Sequence, residues 1–111
     1  MSNVSAAAAS DAVLDALGDP MRRRITRALR DGPKPVGRIA DELPIGRPAV
    51  SKHLGVLEEA GVVTHTSVGT RNLYALAPGG YAALQVWLTE TWDAALAAYR
   101  DAVEAAPEEE P

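Results

Sequence analysis

The chain has 111 residues, room for one domain and too few for two ordinary ones. It has no cysteine, which excludes a disulfide scaffold, a thiolate metal site and a cysteine nucleophile. The formal net charge of −4 argues against nucleic acid only until it is split by position: residues 22–71 hold ten of the eleven Lys and Arg against five acids, a local balance of +5, and the remainder holds one Arg against ten acids.

Residues 1–9 are small and polar and are expected to be flexible; residues 107–111, Pro-Glu-Glu-Glu-Pro, are expected to be a disordered acidic tail. The domain lies between them, over residues 10–106. Ser10 is the expected N-cap of a helix carrying Val13, Leu14 and Leu17 on one side, with Gly18 as its stop. Asp19-Pro20 is a second start signal, a capping carboxylate followed by proline at the first helical position. That helix runs from Pro20 to Arg30, with Met21, Ile25, Ala28 and Leu29 at three- and four-residue spacing, and Asp31-Gly32-Pro33 ends it. A third helix spans about Val36 to Leu43 and stops at Pro44.

The turn Pro44-Ile45-Gly46 leads into a fourth helix from Arg47 to Ala60, with Gly61 as its stop. Pro48 sits in the first turn, where its missing N–H does no harm. Two short helices joined by so tight a turn fit a helix-turn-helix. Residues 62–66 and 71–76 read as strands of a β-hairpin, with Tyr74 and Leu76 on one face. Ala77-Pro78-Gly79-Gly80 reads as a break before a long helix over about Tyr81 to Ala105. The expected fold is mainly α with a β-hairpin wing, a winged helix-turn-helix in the order α-α-α-α-β-β-α.

At 100° per residue, Val50, Leu54 and Leu57 fall on one stripe of the fourth helix, and Pro48, Ser51, Lys52, Gly55 and Glu59 fall roughly opposite. The apolar stripe packs inward, which leaves the other face free to enter a major groove. Arg47 and Lys52 suit phosphates or the O6/N7 edge of guanine, and Ser51 bonds to either. Gly55 costs roughly 1 kcal/mol relative to Ala in a helix interior; it fits close approach of DNA, or equally a tolerated substitution. His53, at the edge of the apolar stripe, reads as a half-buried histidine bonding a backbone or phosphate group rather than a metal ligand. Glu58 and Glu59 face solvent as candidate partners of Arg22–Arg24. At the hairpin tip, Thr70, Arg71 and Asn72 lie beside Gly69, and Arg71 is a minor-groove or phosphate contact, or a solvated charge. The candidate DNA-binding set is therefore Arg47, Pro48, Ala49, Ser51, Lys52, His53, Thr70, Arg71 and Asn72.

The core must be small, because Ala takes 21 positions, Ile three and Phe none. A lone monomer built this way is marginal, which favours burial against a partner. Leu84, Trp87, Leu88, Trp92, Leu96 and Tyr99 make a wide apolar stripe on the last helix. With Val13, Leu14 and Leu17 of the first helix they form the candidate two-fold dimer interface. The alternative is that the stripe closes over its own core.

The segments Leu17-Gly18-Asp19-Pro20 with Arg22, Ala49-Val50-Ser51-Lys52-His53-Leu54 and Leu57-Glu58-Glu59-Ala60-Gly61 resemble the ArsR family of bacterial winged helix-turn-helix repressors. The resemblance covers about residues 11–77 and reaches more loosely into the last helix. It implies a homodimeric transcriptional repressor binding double-stranded DNA at an imperfect palindrome, in the bacterial cytoplasm and associated with the nucleoid. Many members sense metals through paired cysteines before the recognition helix, or through Asp and His on the last helix. Here the first stretch is Ile39-Ala40-Asp41-Glu42-Leu43 and the last helix has no His. No metal site, cofactor, membrane contact or catalytic constellation is therefore expected. A winged-helix module for protein contact, or a metal-responsive repressor with a non-standard site, is the alternative. A cavity between the first and last helices near Trp87 and Trp92 is a candidate seat for an apolar ligand.

Overall fold

The computed structural model describes residues 3–107; Met1, Ser2 and residues 108–111 of the expected acidic tail lie outside the described residues. The elements are α1 (Asn3–Leu17), α2 (Pro20–Ala28), β1 (Lys34–Pro35), α3 (Val36–Asp41), α4 (Arg47–Glu59), β2 (Val63–Val68), β3 (Arg71–Leu76) and α5 (Pro78–Ala105). The expected winged helix-turn-helix is present, with one added strand.

That strand is β1. It pairs antiparallel with β3, Lys34 opposite Tyr74 and Pro35 opposite Leu73, so the sheet order is β1-β3-β2. Pro35 is tolerated because β1 is an edge. The wing proper is β2 and β3, paired from Val63–Leu76 to Val68–Arg71 around Gly69-Thr70. Gly69 takes φ 63°, and glycine first in a two-residue hairpin loop matches the II′ arrangement.

Two expected boundaries are corrected. Ser10 is not an N-cap: α1 continues back to Asn3 through Ala6–Ala9, the best helix formers. Ser10 is buried, and its Oγ donates instead to the carbonyls of Ala7 (3.1 Å) and Ala6 (3.3 Å). The break after β3 is Ala77 alone, and α5 starts three residues before the expected Tyr81. Pro78 lies in the first turn of α5, where proline is at home, and both glycines are helical. By contrast, Asp19 caps α2 as expected, its Oδ1 accepting from the amides of Met21 (2.7 Å) and Arg22 (3.2 Å). α2 and α3 each end two residues early because their last turns tighten to three-residue bonds, Arg30 N to Arg27 O and Leu43 N to Ala40 O.

The core is one cluster drawn from α1 to α4 and the start of β2. Val13, Ile25, Ile39, Val50, Leu54, Leu57 and Val62 are fully buried in it. Tyr81 and Leu84 carry the first turns of α5 onto this core, and α1 packs along α5. From Gln85 onward every described residue is exposed. The radius of gyration is 19.4 Å, against about 13 Å for a compact chain of this length.

Candidate nucleic-acid interface

A buried stripe and a C-terminal stop fix α4. Val50, Leu54 and Leu57 are fully buried on its inner stripe. At its C-terminus Gly61 takes φ 81°, with Val62 N donating to Leu57 O (2.9 Å) and Gly61 N to Glu58 O (3.0 Å). Those two bonds are a Schellman motif, which needs the left-handed glycine. At its N-terminus the helix leaves the turn at Gly46, which has no side chain to cap it.

The face opposite the buried stripe is open. Arg47, Pro48, Ser51 and Lys52 are exposed, and Ala49 and His53 are half-buried at its margins. Thr70, Arg71 and Asn72 are exposed at the hairpin tip, where Asn72 Oδ1 accepts from Ser67 Oγ across the strands (2.9 Å). Among the described residues no carboxylate pairs with Arg47, Lys52 or Arg71. These cations are free to meet an anion. Arg47 differs from the others in direction: its guanidinium turns back across the helix-turn-helix and lies against Gly37 of α3.

Glu58 is tied to the wing rather than to the arginines. Its Oε2 lies 2.6 Å from His65 Nδ1 on β2, and the His65 ring packs 5.2 Å from Tyr74 on β3. The contact joins the last turn of α4 to the hairpin. Arg22 and Arg23 serve α1 instead. Arg22 Nε donates to Ala16 O (2.6 Å) and Arg23 Nη1 to Leu17 O (2.7 Å), which caps the free carbonyls at the end of that helix. Arg22 Nη1 also lies 3.4 Å from His53 Nδ1, so the half-buried histidine meets a side chain.

The candidate dimer residues divide into two sets, with Trp87 in neither. Val13 is fully buried, Leu17 and Leu84 pack on the same core, and Leu14 is half-buried. This corrects Val13 as an interface residue, because it closes the protomer's own core. Leu88 (56% exposed), Trp92 (62%), Leu96 (40%) and Tyr99 (70%) recur at spacings of four, four and three on an uncovered stripe, which Val103 extends. Trp87 points elsewhere. With Ala6, Ala7, Ser10, Ala83 and Glu90 it lines an open cleft of about 380 Å³ between α1 and α5, and Trp92 is not part of that cleft.

Among the described residues no group of three or more His, Asp or Glu side chains is placed to hold a metal ion, and no helix is long and apolar enough to cross a membrane. A core shared by α1 to α4, the tight turn between α3 and α4, and the hairpin wing define a winged helix-turn-helix module. Residues 17–66 match a family model described as a helix-turn-helix domain. The HTH-type transcriptional regulator Rv2034 of Mycobacterium tuberculosis is 44% identical over 94 residues, 85% of this chain and 88% of that protein. The HTH-type transcriptional repressor SmtB of the same species is 41% identical over 69 residues, 62% of this chain and 51% of that protein, so the chain spans about half of SmtB's length. Among solved structures, an ArsR-like transcriptional regulator from Rhodococcus sp. RHA1 superposes with a TM-score of 0.73 at 28% identity, covering 89% of this chain and 96% of that one. The homodimeric winged helix-turn-helix domain Mb0332 of Mycobacterium bovis shares the fold, with a TM-score of 0.67 at 23% identity over 96% and 94% of the two chains. The chain belongs to the ArsR family of winged helix-turn-helix transcriptional regulators.

Proposed function

We propose that this regulator is a homodimeric repressor that binds an imperfect palindrome, with α4 in the major groove and the β2–β3 hairpin as wing. The observation that carries the reading is the two-sided α4. Val50, Leu54 and Leu57 fix one side to the core, and Ser51 and Lys52 stand exposed on the other, with no carboxylate among the described residues paired to the lysine. Lys52 offers donors to guanine or phosphate, Ser51 bonds a base edge or a phosphate, and Arg71 reaches the backbone or minor groove from the wing.

The uncovered stripe on α5 supports dimerisation. A second copy placed on Leu88, Trp92, Leu96 and Tyr99 removes that surface from water and presents two recognition helices about 34 Å apart. Two half-sites explain how a region with a balance of only +5 can bind one sequence tightly. The acidic residues of α1 and α5 then lie away from the duplex, where they do not oppose it. Repression is supported by the likeness to SmtB, itself named a repressor, and a protein seated over a promoter excludes polymerase without further chemistry. Its place is the bacterial cytoplasm, on the nucleoid.

Selection of bound sequences from a random duplex library tests the reading. The expected result is a palindromic consensus with half-sites one helical turn apart, bound with an affinity that falls steeply with salt. A library that returns no enriched sequence would falsify it.

A further inference from the structure

Gly37 sits in the first turn of α3, and nothing in the sequence pattern calls for a glycine there. Its φ lies outside the left-handed region, so backbone freedom does not explain it. The space beside it does. A Cβ at position 37 would lie 2.8 Å from Arg47 Nη2, 3.0 Å from Cζ and 3.3 Å from Nε. Nη2, Cζ and Nε of the guanidinium therefore border the volume that a side chain at position 37 would take. Arg47 is the first residue of α4, and among the described residues it has no acidic partner.

We infer that Gly37 is a positioning residue for DNA binding: it seats the Arg47 guanidinium across the helix-turn-helix, where it clamps a backbone phosphate instead of reading a base. The inference rests on the proposed use of α4. A base-reading arginine projects from the groove face of its helix. This one lies against Gly37 of α3, and the first helix of a helix-turn-helix pair is the one that crosses the strand backbone. A seated guanidinium also loses less side-chain freedom when it binds, because its rotamers are already restricted.

The atom that would meet a new Cβ is the far end of a flexible side chain. Gly37→Ala therefore displaces Arg47 without forcing the backbone, and it replaces the poorest ordinary helix former with the best. The test is a double-mutant cycle on duplex binding, read against salt, with Lys52→Ala as a separate arm. Arg47→Ala should weaken binding to specific and unrelated duplexes by the same factor and lower the salt slope by about 0.9 per protomer. Gly37→Ala should reproduce that loss while its melting temperature holds or rises. Adding Gly37→Ala to Arg47→Ala should then cost nothing further, because the seat is already empty.

Equal losses from Gly37→Ala with and without Arg47 would overturn the inference, since the effect would then belong to the backbone. A loss from Arg47→Ala confined to one base position would overturn the phosphate assignment. Failure of the α4 reading itself gives a different pattern, in which Lys52→Ala binds as the parent does.

Discussion

The amide of Gly80, in the first turn of α5, donates to the carbonyl of Gly61 at 2.9 Å, and the two glycine backbones lie in contact. A Cβ at position 80 would sit 2.4 Å from that carbonyl oxygen and 2.7 Å from its carbon. Gly61 is itself held at φ 81° by the end of α4. One contact thus sets where α5 leaves relative to α4.

Gly80→Ala must push two backbones apart, so a loss of about 1–3 kcal/mol is expected from overpacking alone. Gly79→Ala is the control: a Cβ there meets nothing within 4 Å, and alanine favours the helix. Urea unfolding should show a lower midpoint for the first variant and an equal or higher one for the second. Equal midpoints for both would remove the close approach as a determinant of the fold.

Arg22 joins three helices. It lies on α2, caps the Ala16 carbonyl at the end of α1 and approaches His53 on α4. Its side chain is largely covered, and charge-assisted hydrogen bonds of this kind contribute about 1.5–3 kcal/mol each. Arg22→Ala is expected to cost about that much, and Arg22→Lys to recover little, since an ammonium cannot span a carbonyl and an imidazole as the planar fork does. Thermal unfolding of the two variants decides it; full rescue by lysine would mean that charge alone matters.

These contacts mark where the sequence stopped being legible. The stripes of α2 and α4, the Asp19 cap, the Gly61 stop and the hairpin are local, and their signals lie within a few residues of the feature they set. The Asp-Pro start and the Ser51/Lys52 face could be read directly. Arg22 on Ala16 and Glu58 on His65 are tertiary choices among several available partners, and a sequence cannot rank them. Pro78-Gly79-Gly80 misleads for a related reason. It reads as a break unless one knows that proline opens the helix and that Gly80 is needed against Gly61. Two-residue β1 carries no period at all and exists only because β3 offers Lys34 and Pro35 an open edge. Ser10 misleads because a small hydroxyl suits both a cap and the buried side of an alanine-rich helix.

Asp19 gives the fold an acid-sensitive cap. The amide of Arg22 lowers its carboxyl below the usual range; partial desolvation opposes this, and the Met21 amide and the Arg22 charge assist it. A lowered folded-state value means the unfolded chain takes up the proton first. The stabilisation from this cap is therefore complete above about pH 5 and disappears as pH falls through the lowered value. Asp31, lowered chiefly by its hydrogen bond to Lys34, acts in the same direction. Thermal unfolding from pH 6 to pH 3 should show a shallower decline for Asp19→Ala than for the parent, from a lower starting point. Parallel curves would exclude Asp19 as a contributor.

Trp92 tests the assembly. It is 62% exposed on the part of α5 that lies beyond the protomer's core, so its removal leaves no cavity at home. At the centre of a helix-on-helix interface, a tryptophan is the type of side chain whose loss costs 2 kcal/mol or more, about a 30-fold weaker dimer. Trp92→Ala should therefore sediment as monomer at concentrations where the parent is dimeric, with its helical circular dichroism retained. DNA binding should then become steeply dependent on protein concentration, since two protomers must be brought together on the duplex. Val13→Ala should behave in the opposite way, lowering stability through the core without a direct effect on self-association, because Val13 is fully buried within one chain. A Trp92→Ala protein that dimerises as tightly as the parent would move the interface off this stripe, and with it the spacing of the two recognition helices.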